Sequence, residues 1–160
     1  MMRLISKTGR RPQAGFSLVE VLIALVIMSV GMLGIAGLYV QGMQAGRTSM
    51  FRHNAVILAG DIADRIRANP RAGNAYANAT GANNNCVGGS GTCTPAEMAA
   101  NDVLLWNAQA ADSLSGGTVA VVFTPAAGVT PPNYQITVTW NEPGQSPAPS
   151  YVVSIPVLGI

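Results

Sequence analysis

The pattern of apolar and polar positions divides the chain beyond its basic N-terminus into five stretches. From Val21 to Gly46 there is no charged residue, and most positions up to Val40 are Val, Leu, Ile, Ala or Met. About 20 such residues in a helix cross a bilayer, so residues 16–40 are long enough to span one. Past Gln41 the pattern turns amphipathic. Ala55, Leu58, Ala59, Ile62 and Ile66 recur at steps of three and four and form one stripe of a helix. Arg52, Asp61, Asp64, Arg65 and Arg67 fall largely off that stripe and read as a solvated face, with Asp61 and Arg65 spaced i,i+4. Pro70 ends the helix at or just before Asn69. One helix over residues 16–69 would be about 80 Å long. No small domain covers that length, so its first half needs lipid or other subunits around it.

Residues 71–94 are rich in Gly, Ala and Asn, show no apolar period and read as a surface loop. Thr94-Pro95-Ala96-Glu97 then has the order of a capping box with proline at the first helical position. It predicts a helix from Pro95 to about Leu114, with Ala99, Val103, Trp106, Ala110 and Leu114 on one face and Gly116-Gly117 beyond its end. Three strands complete the chain. Thr118–Thr124 is a β-branched run, and Tyr134–Trp140 alternates strictly, with Tyr134, Ile136, Val138 and Trp140 on one side. The third is Tyr151–Val157, where Pro156 suits an edge or a strand end. Short loops between them predict an antiparallel meander packed on the stripe of the long helix. The fold class is therefore α+β: a long N-terminal helix, a short second helix and a sheet of about three or four strands.

Charge changes the picture mainly at the N-terminus. Residues 1–14 carry Arg3, Lys7, Arg10 and Arg11 and no acid, which keeps that end cytoplasmic and sends the rest of the chain outward. The formal charge of +2 includes this leader; without it five basic side chains face seven acidic ones, leaving about −2. Nothing in the remainder is a basic patch, so nucleic acid is not an expected partner. Glu20 is an acid at the start of an apolar helix, where charge is costly and read as functional, although its place near one end also lets the carboxylate reach the interface. Cys86 and Cys93 fall in the exported part, and their spacing suits a small disulfide ring worth about 2–3 kcal/mol on the chain-entropy model. It is neither the C-x-x-C of redox and zinc sites nor a phosphate loop. His53 is the sole histidine and has no second ligand near it, so no metal, cofactor or small-molecule substrate is expected. Glu97, Asp102, Asp112 and Glu142 show no paired-carboxylate spacing, and no catalytic set emerges.

Gly15-Phe16-Ser17-Leu18-Val19-Glu20-Val21-Leu22-Ile23-Ala24, behind a basic leader, resembles the class III signal of type IV pilins and pseudopilins. The resemblance implies that prepilin peptidase cuts between Gly15 and Phe16 and that Phe16 is then N-methylated. It gives Glu20 a role in subunit assembly, pairing with the free N-terminal amine of a neighbouring subunit. It also implies the pilin fold, divided into a leader (1–15), a membrane or filament-core helix (16–40), its amphipathic continuation (41–69) and a globular head (70–160).

Stretches around Asp61–Arg65, Asp102–Trp106 and Gln135–Trp140 resemble the PilV branch of minor pilins. The cysteine pair precedes the sheet, whereas the major pilins bracket a C-terminal loop with theirs. The function implied is a minor pilin, not an enzyme, that joins or primes a type IV pilus with other minor pilins and the major pilin. Such a protein passes once through the inner membrane, head outward, before entering an extracellular pilus. Two other readings stay open: a minor pseudopilin of a type II secretion system, or a tip adhesin or DNA-uptake pilin.

Overall fold

The structure, a computed structural model, describes residues 15–89 and 91–157. The basic leader inferred from Arg3, Lys7, Arg10 and Arg11 lies outside the described residues. The elements in order are helix α1 (Leu18–Ala68), a 3-10 turn (Pro70–Ala72), a short helix α2 (Ala75–Asn78), helix α3 (Pro95–Ser113) and strands β1 (Thr118–Thr124), β2 (Asn133–Thr139) and β3 (Ser150–Pro156). By its internal contacts the chain divides into two units, residues 1–44 and 45–160.

The described part of the first unit is helix and the three residues before it. α1 begins at Leu18, two residues later than the apolar pattern alone suggests, and runs without a break past Gly31, Gly34 and Gly37. Every residue from Gly15 to Arg47 is exposed, among them Leu33 (74%) and Ile35 (70%).

The second unit holds the core. From α1 it takes Phe51, Ala55, Leu58, Ala59, Ile62, Ala63 and Ile66, the stripe read from the sequence with Phe51 and Ala63 added. Alanines at 55, 59 and 63 keep one ridge of the helix low, and all three are buried in the core. α3 contributes Ala99, Trp106 and Ala110, and Leu114 stands just beyond it. Its N-terminus is the expected capping box: the Thr94 hydroxyl accepts from the Glu97 backbone N–H at 3.3 Å, and Glu97 Oε2 accepts from the Thr94 N–H at 2.8 Å. Gly116 (φ +59°) then turns the chain toward β1.

The sheet is an antiparallel meander in the order β1-β2-β3, with Val121 opposite Ile136 and Ile136 opposite Val153. β2 and β3 each start one residue earlier than expected. Trp140 lies just past β2, yet it is buried and donates its N–H to Pro149 O at 3.1 Å. The alternating face of β2 (Tyr134, Ile136, Val138) is buried, as its period requires.

Two expectations need correction. Residues 71–94 are not wholly surface loop, because α2 buries Tyr76. Its ring stacks on Trp106 (centroids 5.4 Å apart) and meets Tyr134 edge-on at 6.1 Å. One buried aromatic in a four-residue helix leaves no periodic trace in the sequence. The charged face of α1 is not wholly solvated either. Arg65 Nη1 lies 3.1 Å from Asp102 of α3, a carboxylate only 3% exposed. That contact joins residues 37 apart, which no local pattern encodes.

Candidate processing and assembly site

Gly15, Phe16 and Ser17 precede α1 and are not helical. The first helical bond runs from the Val21 N–H to Ser17 O at 3.2 Å, so Ser17 stands at the cap and Glu20 in the first turn. Helix N-termini leave backbone N–H groups unsatisfied and carry partial positive charge, which favours a carboxylate there. Ser17 and Glu20 also have the spacing of a capping box, a signal that sequence reasoning passed over. Phe16 is 82% exposed, and among the described residues no atom other than those of Gly15 and its chain neighbours lies within 4 Å of where a Gly15 Cβ would stand. The Gly15–Phe16 peptide is thus open and outside the helix, the state in which a protease can grip a backbone. Gly15, Phe16 and Glu20 all lie at the N-terminal end of α1, as their places in the sequence require.

Beyond Glu20 the α1 surface is uncharged and almost wholly apolar as far as Val40, interrupted by Ser29 and the Tyr39 hydroxyl. Among the described residues, α1 is the one helix long and apolar enough to cross a membrane. A contiguous apolar surface of this extent marks contact with lipid or protein.

In the second unit, polar groups that the sequence placed on a solvated face or left without a role tie elements together. Arg65 Nε donates to Asp61 Oδ2 at 3.0 Å while its Nη1 reaches Asp102. Tyr76 donates its hydroxyl to the other oxygen of Asp102 at 3.0 Å, and Asn69 Nδ2 donates to Tyr76 Oη at 3.2 Å and to Pro95 O at 2.9 Å. Burial, aided by the Asp102 charge, pushes the Tyr76 phenol well above its ordinary value. Burial alone would lower the Arg65 pKa, but Asp61 and Asp102 more than reverse this and raise it. One cluster therefore joins the end of α1 to α2 and α3. Tyr134 donates its hydroxyl to Gly73 O, and Thr48 to Glu142, adding two further long-range ties.

Cys86 and Cys93 are bonded, with Cα atoms 5.8 Å apart. The loop carrying them returns to α3 through Gly81. A Cβ there would stand 3.3 Å from the Leu104 backbone, and the next residue, Ala82, donates its N–H to Ala100 O at 3.0 Å. Among the described residues no group of three His, Cys, Asp or Glu side chains is placed to hold a metal. The geometry positions surfaces and staples elements; it assembles no reactive centre among the described residues.

A long N-terminal helix, half apolar and exposed and half packed on a three-stranded antiparallel sheet with a short helix, is the fold of type IV pilins. Comparison with protein families agrees. The family described as type IV pilin Tt1218 matches residues 37–104, and the prokaryotic N-terminal methylation motif matches residues 10–36. The two matches adjoin, together covering residues 10–104, and mark the chain as similar to type IV pilins that carry a methylation motif; proteins of that family are structural, non-enzymatic components. No curated protein and no solved structure matches it. The motif implies processing by prepilin peptidase and assembly with other pilins.

Proposed function

We propose that the chain is a minor pilin of a type IV pilus, most like the PilV type, which enters or primes the filament through a complex with other minor pilins and the major pilin. The observation that carries this reading is the α1 surface over residues 18–47, largely apolar, exposed and opening within the methylation motif. Prepilin peptidase cuts between Gly15 and Phe16, and the new amine of Phe16 is methylated. The apolar helix holds the protein in the inner membrane with its head outside, then leaves lipid for the helices of neighbouring subunits. Glu20 sets the register of that transfer. An unpaired carboxylate and an unpaired ammonium are each expensive in a dry site, and pairing them across subunits removes both penalties. The PilV assignment is supported by the resemblance around Asp61–Arg65, Asp102–Trp106 and Gln135–Trp140, and by a cysteine pair placed before the sheet.

Mass spectrometry of the native protein tests the processing, with N-methylated Phe16 expected as the first residue. A first residue within the leader would overturn it. Deletion of the gene separates pilus from secretion roles: loss of surface filaments with secretion intact is expected. Intact filaments with failed secretion would place the protein among pseudopilins.

A further inference from the structure

Within the second unit α1 has two faces, and the core uses only one of them. Ala55, Leu58, Ala59 and Ile62 line the buried side. On the opposite side Gly46, Met50, His53, Ile57 and Gly60 follow one another at steps of four, three, four and three, the spacing at which two helices mesh. All five are exposed, Met50 to 60% and Ile57 to 54%. At Gly46 and Gly60, among the described residues, no atom beyond the chain neighbours and the nearby backbone of the helix itself lies within 4 Å of where a Cβ would stand. Glycine weakens a helix interior, and neither of these two relieves a crowded contact inside this chain. They leave room for the backbone of a second helix.

The row carries no fixed charge, and His53 is its one titratable side chain. Four charged groups lie at this level of the head. Arg47 stands over the Phe51 ring, 5.3 Å from its centroid, and Arg52 lines a hollow beside Tyr151 of β3. Glu142, after β2, accepts from the Thr48 hydroxyl. Asp112 is in the last turn of α3, which reaches α1 where Asn54 Nδ2 donates to Ser113 O at 3.1 Å. Among the described residues His53 forms no ion pair with Asp112 or Glu142.

The apolar surface of α1 over residues 18–47 carries the assembly reading, and this row extends it along the same helix into the head. An uncharged row fits an uncharged helix, and residues 21–40 of this chain, the kind of helix a neighbouring pilin offers, bear no charge. Imidazole is the one side chain whose ordinary titration falls between pH 5 and 8. In its neutral form it enters a dry contact at the cost of one polar group to satisfy. Protonated, it brings a charge with no carboxylate to meet it, which is far more costly to bury. We propose that His53 makes the seating of a neighbouring pilin's apolar helix on this row dependent on pH, closed when the imidazole is neutral and open when it is protonated. This gate rests on the assembly reading and adds a control that Glu20 does not supply.

The test uses pili sheared from cells that make the full chain with the photo-reactive p-benzoylphenylalanine in place of Ile57. Irradiated at about pH 7.5, the probe is expected to cross-link to the apolar helix of another pilin, mapped by mass spectrometry of the digested adduct. An unperturbed imidazole is about one-tenth neutral at about pH 5.5, so the adduct should fall about tenfold there. His53→Leu, at an exposed position, should cross-link equally at both pH values, and His53→Lys should enter pili severalfold less at either. A yield that does not change with pH, one that rises in acid, or an acid loss that persists in His53→Leu would overturn the gate and leave the assembly reading standing. So would adducts formed only with head residues of the neighbour, or normal entry of His53→Lys. A chain absent from pili at both pH values would overturn the assembly reading, and the gate with it.

Discussion

Asp102 is a carboxylate whose environment could not be read from its neighbours in sequence. It sits in the first half of α3 among residues that otherwise keep a simple apolar period, and folding places it against Arg65 and Tyr76. Removing it leaves a guanidinium and a phenol without their acceptor. Breaking a buried ion pair costs about 3–5 kcal/mol, but the Arg65 side chain is 39% exposed and can recover water. Asp102→Ala is therefore expected to destabilise the protein by about 2 kcal/mol, measured by urea unfolding. Tyr76 gives a pH signature. Its folded pKa lies above the ordinary 10.0, so the phenol's contribution is complete below pH 10 and is lost as pH rises beyond that point. Melting temperatures between pH 9 and 11 should fall, and Tyr76→Phe should flatten part of that fall, with Tyr134, raised in the same direction by its burial, supplying the rest. Glu97 acts at the other end of the scale. The Thr94 backbone N–H and hydroxyl hold its pKa below 4.5, so its contribution is present above that value and lost as pH drops through the lowered pKa. Glu97→Gln should flatten the acid limb of the same melting curve.

At the scale of elements, the period of the sequence and the shape of the fold agree wherever a segment is long enough to repeat. α1, α3 and the three strands were legible within one or two residues. α1, α3 and β3 are bounded by a proline or a cap, β2 alternates strictly and β1 is a β-branched run, all signals that local physics enforces. Replacing Thr94 by Ala removes one such device and should cost about 1 kcal/mol, read as a lower melting temperature with the fold retained. The illegible parts depend on distance. α2 has four residues and no room for a period, and Tyr76 is buried because Trp106 and Tyr134 arrive from other elements. The proposed processing site divides the same way: Gly15, Phe16 and Glu20 stand out in the sequence, whereas Ser17 gains its place at the cap only once the start of α1 is known. The disulfide ring is local in both senses. Double replacement of Cys86 and Cys93 by serine should lower stability by about 2–3 kcal/mol on the chain-entropy model, seen as a shifted urea midpoint.

For the whole molecule, the division into two units separates two kinds of stability. Among the described residues, the second unit contains the entire buried core, while every residue of the first lies exposed. A chain beginning at Ala45 should therefore remain soluble without detergent and melt cooperatively. Sedimentation and circular dichroism check this, with aggregation or gradual melting as the contrary result. Glu20→Ala tests the first unit. Cleavage at Gly15 should proceed, while the amount of the variant in sheared pili should fall severalfold. Normal incorporation would remove the pairing role for Glu20.

None of the three strands contains an acidic or basic side chain, and the sheet's outward face carries Thr118, Thr124, Gln135, Ser150 and Ser154 beside the exposed Val122 and Val152. With no ions to screen and no carboxylate or amine to titrate, that face displays the same groups in fresh water and brine, and in mild acid and mild alkali. In the pilus proposed above, such a face would pass through shifts of salinity with its chemistry unaltered.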